Sequence, residues 1–249
     1  MHIPRTSGTD VLREAQKAEV RSASAIKYKP GLDRLSVYVP GEYEFIFPGK
    51  VERAGYNFFT GHFAANPLYE LEDPIAFSIM RSPVDQYIST ITYQCMMRGE
   101  VPTPEFVDRH IDNEFYNMDI HEPLFNGTPN AQSKFMMFRL VEVYDQYTDQ
   151  FRAVYEENQL DVDEVKSFVS SHIVGSIIRR DRVIDKVNQM LLKHYGTKLD
   201  INTQKENASP PLGFELSKQQ LQKIREKTQI DEEVYQYIRA KEEKSATYI

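Results

Sequence analysis

The sequence predicts an α/β protein, with a central, mainly parallel sheet covered by helices on both faces. Two observations predict it. Short runs rich in β-branched and aromatic residues, Leu35–Val39, Tyr43–Phe47, Tyr56–Phe59 and Ile75–Met80, are punctuated by Pro, Gly and Asp. Longer segments with few breakers precede and follow them, and strands alternating with helices build a parallel sheet between helical layers.

Taken in order, Thr9 to Lys27 reads as a helix, with Val11, Leu12, Ala15, Ala18 and Val20 falling roughly on one side. After the four β-rich runs, Pro83 stands where a first-turn proline starts a helix that reaches about Arg98. Residues 99–130 change character. They hold Pro102, Pro104, Pro123 and Pro129 around a short helix near Glu105–Tyr116, and read as a lid or acceptor-binding insertion in a single domain spanning 1–249. Helices are expected at Ala131–Tyr147 and Asp181–Tyr195, with a strand at Ser167–Val174 between them. Thr203–Leu212 is a loop, and two charged amphipathic helices, Ser217–Thr228 and Asp231–Glu243, close the chain.

Composition narrows the function. Hydrophobic residues make up 41% of 249, enough for a substantial core. The net charge of −7 excludes a broad polyanion-binding surface, so an anionic ligand has to be caught by a loop and a few placed cations. The single cysteine, Cys95, allows no intrachain disulfide. No run of about 18 apolar residues and no signal-peptide pattern occur. The chain is therefore expected to be soluble and cytoplasmic, although a piece of a membrane-anchored protein would read the same.

Two local features carry chemistry. The opening, His2-Ile3-Pro4-Arg5-Thr6-Ser7-Gly8-Thr9-Asp10, stands directly before the first expected helix. Small and hydroxylated residues let backbone N–H groups face an anion, the helix start adds about half a positive charge, and Arg5 adds a whole one. An ordinary capped helix start has the same local chemistry. The pattern is not GxxxxGK[ST], which removes the main support for an ATPase or GTPase. The second feature is Arg81-Ser82-Pro83-Val84-Asp85 with Ser89, where an apolar strand meets a helix. Ligand crevices form at the carboxyl ends of parallel strands, so Arg81 would emerge into one. A routine strand-end ion pair between Arg81 and Asp85 is the alternative.

Together these segments resemble a family. HIPRTSGTD is similar to the HIPKTGGTS loop of the sulfotransferases that include uronosyl and other carbohydrate 2-O-sulfotransferases. Arg81 to Ser89 resembles that family's RDPVERFLS segment. The resemblance implies a P-loop-like three-layer fold and a donor, PAPS (3′-phosphoadenosine 5′-phosphosulfate), released as PAP. It implies that Arg5, Thr6, Ser7, Gly8 and Thr9 hold the 5′-phosphosulfate, with Arg5 also catalytic in neutralising charge on the departing phosphate, and that Arg81 and Ser89 hold the 3′-phosphate. Gly61-His62 resembles the family's GH motif, which makes His62 the catalytic base. Asn130-Ala131-Gln132 resembles its NxQ segment, and Asp231 to Tyr235 its DxxxY helix. Residues 99–130 match least.

Several departures stand out. The family loop carries lysine where this chain has Arg5, whose permanent charge makes it a poor proton donor. Ser7 replaces a glycine, and Asp10 a small hydroxyl residue. A loop of this kind follows a strand of about five residues, so the natural chain is expected to start upstream of Met1 or to carry a very short strand. No metal is expected, because cations and N–H groups would hold the donor. His110, His121, His172 and His194 are expected to be structural or on the surface, and His2 to orient the loop. Arg179-Arg180-Asp181-Arg182 is either a solvated helix start or an attractor for an acidic acceptor. The acceptor is a hydroxyl, on a carbohydrate by the family's default. Two other readings stay open: a nucleotide kinase, and a PAPS-binding module without catalysis.

Overall fold

The computed structural model describes residues 22–28, 35–39, 42–45, 58–61, 76–112, 129–138, 140–145, 150–155, 159–196, 198–199 and 211–246. They form an α/β protein. The strands are β1 (Ser22–Tyr28), β2 (Leu35–Val39), β3 (Glu42–Phe45), β4 (Phe58–Gly61), β5 (Phe77–Met80), β6 (Leu140–Asp145), β7 (Gln150–Tyr155) and β8 (Ile173–Ser176). The α-helices are α1 (Pro83–Arg98), α2 (Pro104–Asp112), α3 (Ala131–Met137), α4 (Val162–Ser171), α5 (Arg180–Tyr195), α6 (Lys218–Lys227) and α7 (Gln229–Ala246).

The strands pair in three groups: β3-β2-β1-β4, β5-β8 and β6-β7. Pairs β1–β4 and β5–β8 are parallel, and the other three are antiparallel. Among the described strands two of the five pairs are parallel, fewer than a mainly parallel sheet would give. Connection length gives the reason. Residues 29–34, 40–41 and 146–149 are too few for the crossover of a dozen or more residues that a parallel return needs.

Three helix and strand expectations are also corrected. Ser22 to Lys27, expected at the end of the first helix, lies in β1, which is paired on one side with β2 and on the other with β4. The helix expected over Ala131–Tyr147 stops at Met137. Phe138 turns extended (φ −84°, ψ 147°), and Leu140–Asp145 forms a hairpin with β7. The strand expected at Ser167–Val174 is mostly α4. The Asp161 carboxylate starts that helix by accepting from the N–H groups of Asp163 (2.7 Å) and Glu164 (3.3 Å).

The parallel pair β5–β8 organises the core. Successive residues of a strand point to opposite faces, and the packing follows that rule. Ile79 joins Val183, Ile184, Val187 and Leu191 of α5 on one face. Met80 joins Phe135 and Met136 of α3, Val165 and Val169 of α4, and Val234, Tyr235 and Ile238 of α7 on the other. This pair of strands is covered by helices on both faces. A third cluster joins Tyr87, Ile91 and Cys95 of α1 to Phe106, Val107 and Ile111 of α2 and Ile224 of α6.

Helix α1 begins where the sequence predicts, with Pro83 in its first turn, and ends on Gly99 in the left-handed conformation (φ 66°). Gln86, Tyr87, Ser89, Thr90, Ile91, Thr92 and Cys95 along it are all buried. Helix α2 anchors the described part of residues 99–130. Gln220 of α6 donates to the Pro104 carbonyl (3.2 Å) and the Asp108 carboxylate (3.0 Å), and Lys223 pairs with Asp112 at 2.7 Å. No helix among the described residues is long and apolar enough to cross a membrane.

Candidate functional site

Strands β5 and β8 run parallel with Met80 opposite Ser176, so Arg81 and Ile177 leave the sheet side by side at its carboxyl end. Arg81 and Ser82 alone link β5 to α1. Ser82 occupies the N-cap position, but its side chain makes no capping hydrogen bond, and Pro83 has no N–H. The first helical bond runs from the Gln86 N–H to the Ser82 carbonyl at 2.9 Å. The N–H groups of Val84 and Asp85 thus belong to an open helix start, where the macrodipole favours an anion.

Half-buried Arg81 stands at that start. Its guanidinium forms no ion pair among the described residues, so the strand-end pair with Asp85 is not made. Its backbone, in contrast, is held twice. The Arg81 N–H donates to Gln132 Oε1 and Gln132 Nε2 donates to the Arg81 carbonyl, both at 2.9 Å. A side-chain carboxamide takes the place of a neighbouring strand, satisfying both backbone groups just where the ladder ends.

Gln132 is fully buried and is held from behind. Asp231, also buried, accepts from the N–H groups of Gln132 (3.0 Å) and Ser133 (2.7 Å) and from the Ser133 hydroxyl (2.5 Å). These are the orphan donors at the start of α3, capped across 98 or more residues of sequence. Asn130, held in the left-handed region (φ 53°), returns the favour. Its Oδ1 accepts from the N–H groups of Ile230 (2.9 Å) and Asp231 (3.2 Å) at the start of α7. Two helix starts cap each other. Burial pushes the Asp231 carboxyl up to about 6, while its hydrogen bonds from Ser133 and Gln132 and the Lys134 charge pull the other way.

The neighbouring strand end has its own anchor. The Ser176 N–H and hydroxyl both donate to the Glu242 carboxylate, each at 2.7 Å, and Arg182 donates to the Glu242 backbone carbonyl at 2.9 Å. Arg239 approaches the same carboxylate at 3.5 Å. The fit depends on Gly175, because an added Cβ would lie 2.3 Å from Val183 Cγ2 and 3.2 Å from Glu242 Oε1. We expect Gly175→Ala to cost about 1–3 kcal/mol by overpacking. Urea unfolding checks this, and wild-type stability would show that α5 can shift aside.

Of the expected site residues, the structure places Arg81 in the link just before α1 and buried Ser89 in the second turn of that helix. Arg5, Thr6, Ser7, Gly8 and Thr9, and the expected base His62, lie outside the described residues. The segments Arg81–Ser89, Asn130–Gln132 and Asp231–Tyr235 meet in one place. Tyr235 is buried against Met80, with a hydroxyl that has no hydrogen-bond partner among the described residues. Burial raises its pKa, the Arg239 charge opposes that, and the Glu242 and Asp85 carboxylates add to it. His110 packs between the rings of Tyr87 (5.7 Å) and Phe106 (6.3 Å) in the third cluster, and His172 stacks on Phe168 at 4.1 Å. In the Arg179–Arg182 run, Arg179 pairs with Asp181 at 3.8 Å.

Sequence reasoning missed Ser133, Ser176, Arg239 and Glu242, and read Arg182 only as part of a charged helix start. Ser176 had a readable signal, the apolar run Ile173-Val174-Gly175 ahead of a helix. Glu242 had none. No protein-family model, curated protein or solved structure matches the chain.

Proposed function

We propose that the chain is a sulfotransferase that moves the sulfuryl group of PAPS to an acceptor hydroxyl, with carbohydrate as the favoured acceptor class. The observation that carries this reading is Arg81. It is a cation without an ion-pair partner among the described residues, at the carboxyl end of two parallel strands and beside an open helix start. Such a place suits a terminal phosphate, and the donor's 3′-phosphate is one. The finer fold reading, a P-loop-like three-layer sheet, is part of this proposal and draws support from the helices on both faces of β5–β8.

In this reading Arg81, Ser89 and the start of α1 grip the 3′-phosphate. Arg5 and the backbone of Thr6–Thr9 grip the 5′-phosphosulfate. The acceptor oxygen attacks sulfur in line while the bond from sulfur to the bridging oxygen breaks. PAP leaves with the electron pair, and His62 takes the acceptor's proton. Positioning and charge stabilisation do most of the work, as in phosphoryl transfer.

Thermal-shift titration tests the donor. PAP and PAPS should raise Tm, and ATP with magnesium should do so much less; stabilisation by ATP with magnesium alone would point to a kinase. The Arg5 and Asp10 departures favour one second reading, a PAPS-binding module without catalysis. Labelled PAPS offered with pooled glycans, lipids and phenols separates the two. PAP binding with no labelled product supports the module.

A further inference from the structure

We infer that Gln132 is a positioning residue for the donor's 3′-phosphate, setting the place of the Arg81 guanidinium through its hold on the Arg81 backbone; this rests on the donor reading above. Met80 is the last residue of β5 with a ladder partner, and Arg81, the next residue, has none. Here the Gln132 carboxamide supplies both missing bonds. The direction in which the Arg81 side chain leaves the backbone is thereby fixed, and so is the start of α1 two residues on. Gln132 itself cannot retreat. Asp231 pins the N–H groups of Gln132 and Ser133, while Asn130 ties the same turn to α7.

A long side chain magnifies small rotations of its backbone, and a charge-assisted hydrogen bond weakens steeply as its distance and angle depart from the best geometry. The guanidinium that Gln132 aims has no ion-pair partner among the described residues to hold it in place. Its precision comes from the backbone.

PAP and 5′-AMP differ only in the 3′-phosphate, so the ratio of their affinities reads Arg81's contribution apart from general stability. Calorimetry on Gln132→Met, which keeps volume and loses both bonds, is compared with wild type and Arg81→Ala, well below each Tm. The expected result is a PAP-to-AMP ratio lowered at least tenfold in Gln132→Met, through PAP alone. A folded Gln132→Met with the wild-type ratio overturns the inference, provided Arg81→Ala loses that ratio. A wild-type protein that binds neither nucleotide, or does not distinguish them, overturns the donor reading as well.

A second measurement needs no variant. Coupling is reciprocal, so PAP should slow solvent exchange of the Gln132 side-chain amide protons at least tenfold, and 5′-AMP should not. Equal exchange with and without PAP also overturns the inference.

Discussion

Asp231→Ala is expected to remove at least about 3 kcal/mol of folding stability, a large share of the roughly 5–15 kcal/mol that holds a domain together. The carboxylate accepts from three buried donors, and each donor left unsatisfied costs about 1–3 kcal/mol. The loss should also be pH-dependent. Burial holds the folded carboxyl at about 6, against 3.8 in the ordinary case. Between about pH 4 and pH 6 the folded state keeps a proton that the unfolded chain has lost. Asp231's contribution is therefore fully present below about pH 4, falls as pH rises, and is flat above about pH 6. The fall amounts to about 3 kcal/mol. Asp231→Asn does not titrate, so wild type should gain on it as pH is lowered from 7 to 4. Urea unfolding at both pH values checks this, and a pH-independent difference would show that the carboxyl titrates normally.

The second large effect separates donor binding from turnover. Arg81→Ala should weaken PAP binding about 10²-fold, the loss of a charge-assisted, two-pronged contact worth about 3 kcal/mol. It should leave the unfolding free energy within about 1 kcal/mol of wild type, since the side chain is half-buried and forms no ion pair among the described residues. His62→Ala should do the opposite. A general base contributes about 10²–10⁴-fold, so turnover should fall by that order while PAP affinity persists. Calorimetry and labelled-sulfate transfer on both variants decide it. Normal turnover by His62→Ala would remove the base assignment, and unchanged PAP binding by Arg81→Ala would remove the phosphate assignment.

Helix α1 was readable because its signals are local: Pro83 supplies a pre-set φ at the start, and Gly99 accepts a positive φ at the end. The same holds for α6, whose Ser217 and Gln220 form a reciprocal capping box. Errors fell where pairing overrode local preference. Ser22–Tyr28 opens with four small residues, Ser22 to Ala25, of low strand preference, and becomes a strand between two partners. Leu140–Asp145 continues a helix-like stretch until its hairpin with Gln150–Tyr155 claims it. Helix α4 differs, since its start is marked locally by the Asp161 cap and by Asp163 and Glu164 in the first turn.

For the site, the sequence by itself determined the residue types: a strand-end arginine, an open proline-started helix, and three short segments worth noting separately. Only tertiary structure decided that Asn130, Gln132 and Asp231 serve Arg81. Their bonds join residues 51 to 101 positions apart, and no periodicity, cap or turn rule reaches that far. A buried donor must find an acceptor, but only the packed fold brings that acceptor within reach.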